Sequence, residues 1–296
     1  MPRIVDPSLS SRIPLASAPK PREYQDDETK VERVYLGVLG QLPFEVLQQL
    51  LLDCDIRSLF NLQLVSRDMK RAVHTLHEFH ELVRLVPDTI RILAASKADT
   101  FVVCCDLYGA MMRPDCELCD RAGEYLYVLA CHRLCRECLV SHPRYRPLRP
   151  NQATKQFRLK QRTLLDGQLP CLIVPKYSAA GCNVRYCDGE RPINTTGWKL
   201  FDRECLLRRS LAEHGYSREE HDDWLLGKQA GVHDNPDLAH LYKEPDAVTA
   251  FSASVLFPWC DARTGTFGNI RVCRACHDST SDEAGGITPT SRTQRM

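Results

Sequence analysis

The sequence predicts an α+β protein in which a helical module near the N-terminus precedes a cysteine-stapled module of short strands and helices. Leucines recur at helical spacing between residues 42 and 95, and at about residue 100 the chain becomes rich in cysteine, proline and glycine. Two Cys-x-x-Cys pairs follow between residues 116 and 138. Both ends are rich in polar residues, and we expect them to be disordered because they bury too little apolar area to fold.

The overall composition argues against several classes of protein. The 296 residues include 39 basic and 38 acidic side chains, so a net charge of +1 gives no global attraction to nucleic acids or acidic membranes. No apolar run approaches the roughly 20 residues of a membrane-spanning helix, and the first 25 residues lack a signal-peptide core. We therefore expect a cytoplasmic or nuclear protein whose 15 cysteines are thiols or metal ligands.

Changes in composition divide the chain into six segments. The predicted segments are a disordered lead at 1–36, a three-helix module at 40–77, a helical connector at 78–112, a cysteine-rich hairpin module at 113–145, a C-terminal module at 146–277 and a disordered tail at 278–296. Function is expected to lie between the two ends, where the apolar and cysteine patterns are found.

Three short helices are predicted in the first module. Pro43 suits the first turn of a helix, where its missing N–H costs nothing. Apolar side chains then recur at i, i+4, i+5, i+8 and i+9, and they are Leu42, Val46, Leu47, Leu50 and Leu51. A second apolar stretch covers 56–65, and Ser66 can cap a third helix. So small a unit is expected to bury leucines against a partner, although an ordinary helical subdomain packed on the rest of the chain has the same periodicity.

The same stretch resembles the F-box family. Leu42-Pro-Phe-Glu-Val-Leu47 follows the family's opening Leu-Pro-x-Glu-Ile/Leu-Leu, and Leu62-Gln-Leu-Val-Ser-Arg-Asp-Met69 follows its closing Leu-x-x-Val-Cys/Ser-Arg-x-Trp. Met69 replaces the family's tryptophan and keeps an apolar side chain. The resemblance implies a three-helix F-box that docks to the Skp adaptor of a cullin-based SCF ubiquitin ligase.

The F-box resemblance also implies roles for particular residues. Apolar side chains on successive helical turns would be buried together in a groove of the Skp adaptor. The implied contacts are Leu42, Pro43, Leu47, Leu50, Leu51, Leu62 and Val65. An adaptor of this kind catalyses no covalent step and raises the local concentration of a substrate, so we expect a non-enzyme whose protein substrate is unidentified.

A looser resemblance extends to a group of functionally undefined fungal F-box proteins. It is carried by the blocks Phe101–Met111, Cys116–Leu139 and Pro258–Cys276. It implies an architecture but no substrate. We expect the cysteine-rich region from Phe101 to His277 to present the surface that binds the substrate.

Four cysteines have the spacing of a structural zinc site. Fifteen residues separate Cys116-x-x-Cys119 from Cys135-x-x-Cys138, and the strand-like run 124–129 between them predicts a hairpin. Four thiolates complete a tetrahedral ion and leave no position for water, so the predicted zinc stabilises the fold. The alternative is a set of four buried free cysteines.

Other cysteines suggest two further arrangements. Cys273 and Cys276 form half of a candidate second metal site, and the sequence does not choose its other ligands from Cys182, Cys187, Cys260 and His277. Cys131 and His132 match part of the ligand order of a RING finger, which would make the chain a ubiquitin ligase by itself. The closing Cys-x-x-Cys of a RING does not follow Cys138 at the required spacing.

The run from Arg144 to Arg162 contains seven basic residues and no acidic one. Such a run suits a nucleic-acid backbone, so a zinc-dependent nucleic-acid or chromatin binder is an alternative to the adaptor, although charge runs are usually solvated faces. The polar stretch after residue 200 has no catalytic motif, so its histidines are expected at the surface. These histidines are His214, His221, His233 and His240.

Overall fold

A computed structural model of the chain describes residues 37–175, 197–231, 241–242, 245, 247–260 and 267–268. Helices and short strands are mixed throughout these ranges, which confirms the predicted α+β class. The predicted lead and tail lie outside the described residues, as do His233 and His240 and the cysteines at 182, 187, 273 and 276. No helix in the described ranges is long and apolar enough to cross a membrane.

Six helices form the N-terminal part of the structure. They are α1 Phe44–Leu52, α2 Ile56–Leu62, α3 Arg67–His74, α4 His77–Leu85, α5 Pro87–Ser96 and α6 Cys104–Met111. The Ser66 hydroxyl accepts a hydrogen bond of 3.1 Å from Met69 N, which confirms the predicted cap of the third helix. Asp55 caps α2 in the same way by accepting a bond of 2.8 Å from Ser58 N.

The helices α1 to α6 share one apolar core with the cysteine-rich region. Backbone bonds of 3.0 and 3.1 Å join Ile56 N to Val102 O and Cys104 N to Cys54 O. Arg57 adds a bidentate ion pair with Asp99, at 2.9 and 3.0 Å. The segment predicted as a connector therefore covers one side of the first three helices and leaves the other side to solvent.

Short strands build the cysteine-rich region. They are β1 Asp115–Cys116, β2 Cys119–Ala122, β3 Tyr125–Tyr127 and β4 His132–Leu134, and α7 Arg136–Ser141 follows them. The predicted hairpin is the antiparallel pair of β3 and β4. A late strand, β7 Ser254–Leu256, adds to the free side of β3, so the predicted hairpin module and the predicted C-terminal module share one sheet.

The remaining elements either add to the main core or surround a second, smaller core. They are α8 Pro150–Gln156, α9 Gln161–Leu165, β5 Cys171–Ile173, β6 Lys199–Phe201, α10 Arg203–His214, α11 Arg218–Gly231, α12 Ala247–Ser252, β8 Trp259–Cys260 and β9 Phe267–Gly268. Leucines and aromatic residues of the segment 148–164, of β6 and of α10 fill the second core, including Leu148, Phe157, Phe201 and Leu206.

One buried arginine joins three parts of the fold. The guanidinium of Arg133 on β4 donates to the backbone oxygens of Ala110 (2.9 Å), Gly123 (2.7 Å), Phe257 (2.8 Å) and Pro258 (2.5 Å). Only 2% of this residue is exposed, and burial lowers its pKa to about 10. Its side chain therefore ties α6, the entrance to β3 and the segment after β7 to one point.

Candidate metal centre and docking face

The four predicted cysteines come together at one point. The sulfur atoms of Cys116, Cys119, Cys135 and Cys138 all lie within 4.8 Å of one another. Cys119 Sγ is 3.7 Å from Cys135 Sγ and 3.6 Å from Cys138 Sγ. Tetrahedral ligands at a Zn–S distance of about 2.3 Å would be about 3.8 Å apart, so the observed separations fit such a centre.

Local structure places each pair of cysteines. Cys116 and Cys119 face each other across the turn between β1 and β2. Cys135 is the N-cap of α7, and its sulfur accepts a hydrogen bond of 3.4 Å from the backbone N–H of Cys138. A bond of 2.8 Å from Glu117 N to Arg133 O holds the β1–β2 turn beside β4. Backbone hydrogen bonds thus bring the two pairs together.

The surroundings of the four thiols favour their binding to a cation. Hydrogen bonds from the backbone and side chain of Arg121 lower the pKa of the Cys119 thiol to about 6. Burial raises the pKa of the Cys135 and Cys138 thiols, and a positive charge beside them would favour their thiolate forms. A divalent metal ion supplies that charge.

The neighbouring RING-like residues do not join the cluster. His132 Nδ1 lies 3.0 Å from the hydroxyl of Tyr145, and burial lowers the pKa of this histidine. Burial raises the pKa of the Cys131 thiol. Among the described residues, the four cysteines are the one group of metal-ligand side chains close enough to hold an ion.

A surface that we call the docking face is formed by α1, by the segment just before it and by the turn that follows α2. Eight of the twelve exposed large apolar residues in the described ranges belong to it, and Leu64 and Val65 are 82% and 72% exposed. The docking face consists of Val38, Leu39, Leu42, Phe44, Val46, Leu50, Leu64 and Val65. So dense a group of exposed apolar side chains is typical of an interaction surface.

The structure divides the predicted contact residues into two groups. Leu42, Pro43, Leu50 and Val65 are exposed, whereas Leu62 is half-buried. Leu47 and Leu51 are each 3% exposed and lie in the chain's own core. The prediction that these two residues contact the Skp adaptor directly is therefore corrected, because the face of α1 that carries them packs against the helices that follow.

The sequence prediction also missed five members of the docking face, Val38, Leu39, Phe44, Val46 and Leu64. The signal was present for one of them, since Val46 and Leu50 are four residues apart and share a stripe on α1. The pair Leu47 and Leu51 forms a second stripe about 100° around the helix. Periodicity reveals both stripes, and only the packing of the following helices shows which one is buried.

The expectation of surface histidines is wrong for His221. It is 3% exposed and stacks on Phe157 with ring centroids 5.1 Å apart. Its Nε2 lies 3.0 Å from the backbone oxygen of Gln156, so it joins α11 to the end of α8. His214 is exposed, as expected.

The F-box domain family matches residues 39–81 of the chain. The match covers α1, α2, α3 and the first half of α4. It contains the whole predicted range 40–77 and extends it by one residue at the start and four at the end. No curated protein and no solved structure matches the chain. The resemblance to fungal F-box proteins therefore stays a prediction.

Proposed function

We propose that this protein is the substrate-recognition adaptor of an SCF-type ubiquitin ligase. The docking face carries the proposal, because its apolar side chains remain exposed on helices whose opposite side is packed against the chain itself. It lies within or beside the segment that the F-box family matches. A Skp-type adaptor that covers this face would bury several leucine and phenylalanine side chains together.

The rest of the chain would present a protein substrate. The adaptor would catalyse no covalent step and would hold a substrate lysine near a ubiquitin-charged enzyme on another subunit. This role places the protein in the cytoplasm or nucleus, where we propose that it acts.

We further propose that the four clustered cysteines bind one structural zinc ion. Tetrahedral all-sulfur sites select zinc or iron among common metals, and zinc is the usual ion of structural Cys-x-x-Cys pairs. Zinc would hold the β1–β2 turn against the start of α7 and would leave no coordination position for a substrate.

Replacing Val46 and Leu50 together by alanine is expected to abolish Skp binding without unfolding the chain. Both side chains are exposed, and truncation of a hot-spot residue costs about 2 kcal/mol or more, so loss of two such residues corresponds to a loss of affinity approaching a thousandfold. The same loss is expected for Leu42→Ala with Pro43→Ala. Co-purification with a Skp-type adaptor and cullin, followed by titration calorimetry, measures the effect.

A matched control uses exposed leucines outside the docking face. Leu165→Ala with Leu226→Ala removes similar apolar area from the surface and should leave Skp binding unchanged. Leu47→Ala should instead lower the free energy of unfolding by about 2–5 kcal/mol, because this side chain is buried. Wild-type affinity of the Val46/Leu50 variant for Skp would reject the adaptor proposal.

A further inference from the structure

The second core supports a surface cleft that neither the metal centre nor the docking face uses. The cleft has a volume of about 540 Å³ and lies between the start of α8 and β6. Its lining combines the basic side chains of Arg149 and Lys199, the polar side chains of Asn151, Thr154 and Gln161, and the indole of Trp198. Four of these six belong to the basic run 144–162, for which the adaptor proposal gives no role.

Backbone hydrogen bonds hold the two walls of this cleft in place. Leu148 and Phe201 exchange N–H···O bonds of 3.0 Å in both directions, which fixes the segment that leads into α8 beside the end of β6. Gly197 has a left-handed φ of 76°, and its turn is fastened to Val174 by two bonds of 2.8 Å. The cleft is therefore preorganised, which lowers the entropic cost of binding a ligand.

The charged side chains of the cleft are suited to an anion. The guanidinium of Arg149 lies over the indole of Trp198, 4.8 Å from the ring centroid. A guanidinium stacked in this way keeps its N–H edge for a carboxylate or phosphoryl group. Within the described part of the chain, no acidic side chain forms an ion pair with Arg149 or Lys199.

A polar donor lies beside these charges. The Oδ1 atom of Asn151 accepts a hydrogen bond of 3.0 Å from Gln152 N, which leaves the amide N–H groups of Asn151 for a ligand. An anionic side chain in the cleft would thus find both charged and neutral donors.

The basic run is organised for a short anionic segment and not for a nucleic-acid strand. Arg146 donates to the backbone oxygen of Val140 at 2.9 Å, and Arg158 lies over Trp224 in a separate cleft that the acidic Glu220 also lines. These side chains have separate local roles, so they do not extend the positive charge of the cleft into a continuous track. Binding of a nucleic-acid backbone requires such a track.

We propose that the cleft binds a short acidic peptide segment, with Arg149 and Lys199 contacting its carboxylate or phosphoryl groups. Peptide binding stands by itself, whereas its use for substrate recognition rests on the proposed adaptor function. The basic run then has a specific purpose within the region that presents the substrate.

The test measures binding of fluorescein-labelled peptides to the full-length chain by fluorescence anisotropy. The probes are a glutamate-rich peptide, its glutamine counterpart, a phosphoserine peptide and its serine counterpart. We expect at least one anionic peptide to bind and its neutral counterpart to bind at least about tenfold more weakly. The double variant Arg149→Gln/Lys199→Gln should weaken binding of the anionic peptide by a similar factor. The anionic peptide that binds more tightly shows whether the cleft prefers a carboxylate or a phosphoryl group.

A second double variant controls for net charge. Lys155→Gln with Arg162→Gln removes two exposed charges of the same run that do not line the cleft, and it should keep wild-type affinity. Equal weakening by both double variants would overturn the proposal, as would failure of both anionic peptides to bind. Tighter binding of a single-stranded oligonucleotide that depends on Arg149 and Lys199 would also overturn it.

The outcome can be separated from that of the adaptor proposal. The variant Val46→Ala/Leu50→Ala should bind the anionic peptide like the wild type, and Arg149→Gln/Lys199→Gln should retain Skp. Thermal unfolding of each variant verifies that it is folded. Failure of peptide binding with Skp binding intact rejects the cleft alone, and the reverse result rejects the adaptor alone.

Discussion

Replacing Cys119 or Cys138 by serine is expected to release one zinc ion per chain and to unfold the cysteine-rich region. Each change removes one of four ligands that lie within 4.8 Å of one another. Structural zinc can supply on the order of 10 kcal/mol of folding free energy, which exceeds the total stability of many domains. Metal content by mass spectrometry and protease sensitivity before and after chelation measure the effect.

Cys105→Ser provides the matched control for the metal centre. This thiol is half-buried and lies outside the cluster, so its replacement should change neither the metal content nor the protease resistance. Detection of iron in place of zinc would support a four-cysteine metal site and change only the identity of the proposed ion. A metal-free wild-type chain that resists protease equally with and without chelator would show that the four cysteines are core residues.

The clustering of the four cysteines was predictable from the sequence because its geometry is local. Each Cys-x-x-Cys spacing fits one turn, and the strand-like run between the pairs contains β3. The cap at Ser66 was predictable for the same reason, since it depends on residues three apart. Structural features that depend on residues close together in the chain can be predicted from the sequence.

Long-range packing accounts for what the sequence did not reveal. The burial of Leu47 and Leu51 depends on how later helices pack against α1, and the same packing leaves Val46 exposed. The pairing of β3 with β7 joins residues more than a hundred positions apart, and no motif marks it. The burial of Arg133 arises from the same association, since two of its four acceptors, Phe257 and Pro258, follow β7.

Replacing Arg133 by methionine is expected to lower the free energy of unfolding by about 3–5 kcal/mol. Methionine fills part of the volume but donates no hydrogen bond, so the oxygens of Ala110, Gly123, Phe257 and Pro258 lose their donor. An unsatisfied buried acceptor costs about 1–3 kcal/mol, and relief of the buried charge offsets part of the sum. Denaturant unfolding, combined with hydrogen exchange of β3, β4 and β7, measures the change.

A variant at Gly123, with a control at Gly109, tests the packing around the Arg133 side chain. A methyl group on Gly123 would collide with the Arg133 side chain, so Gly123→Ala should be destabilising by about 1–3 kcal/mol through overpacking. Gly109→Ala on α6 meets no atom within 4 Å and should be stabilising by about 0.5–1 kcal/mol through helix propensity. Wild-type stability of both Arg133→Met and Gly123→Ala would show that Arg133 does not join the three parts of the fold. If β7 instead loses its protection from hydrogen exchange in both variants and keeps it in Gly109→Ala, this one side chain holds the C-terminal strand on the hairpin.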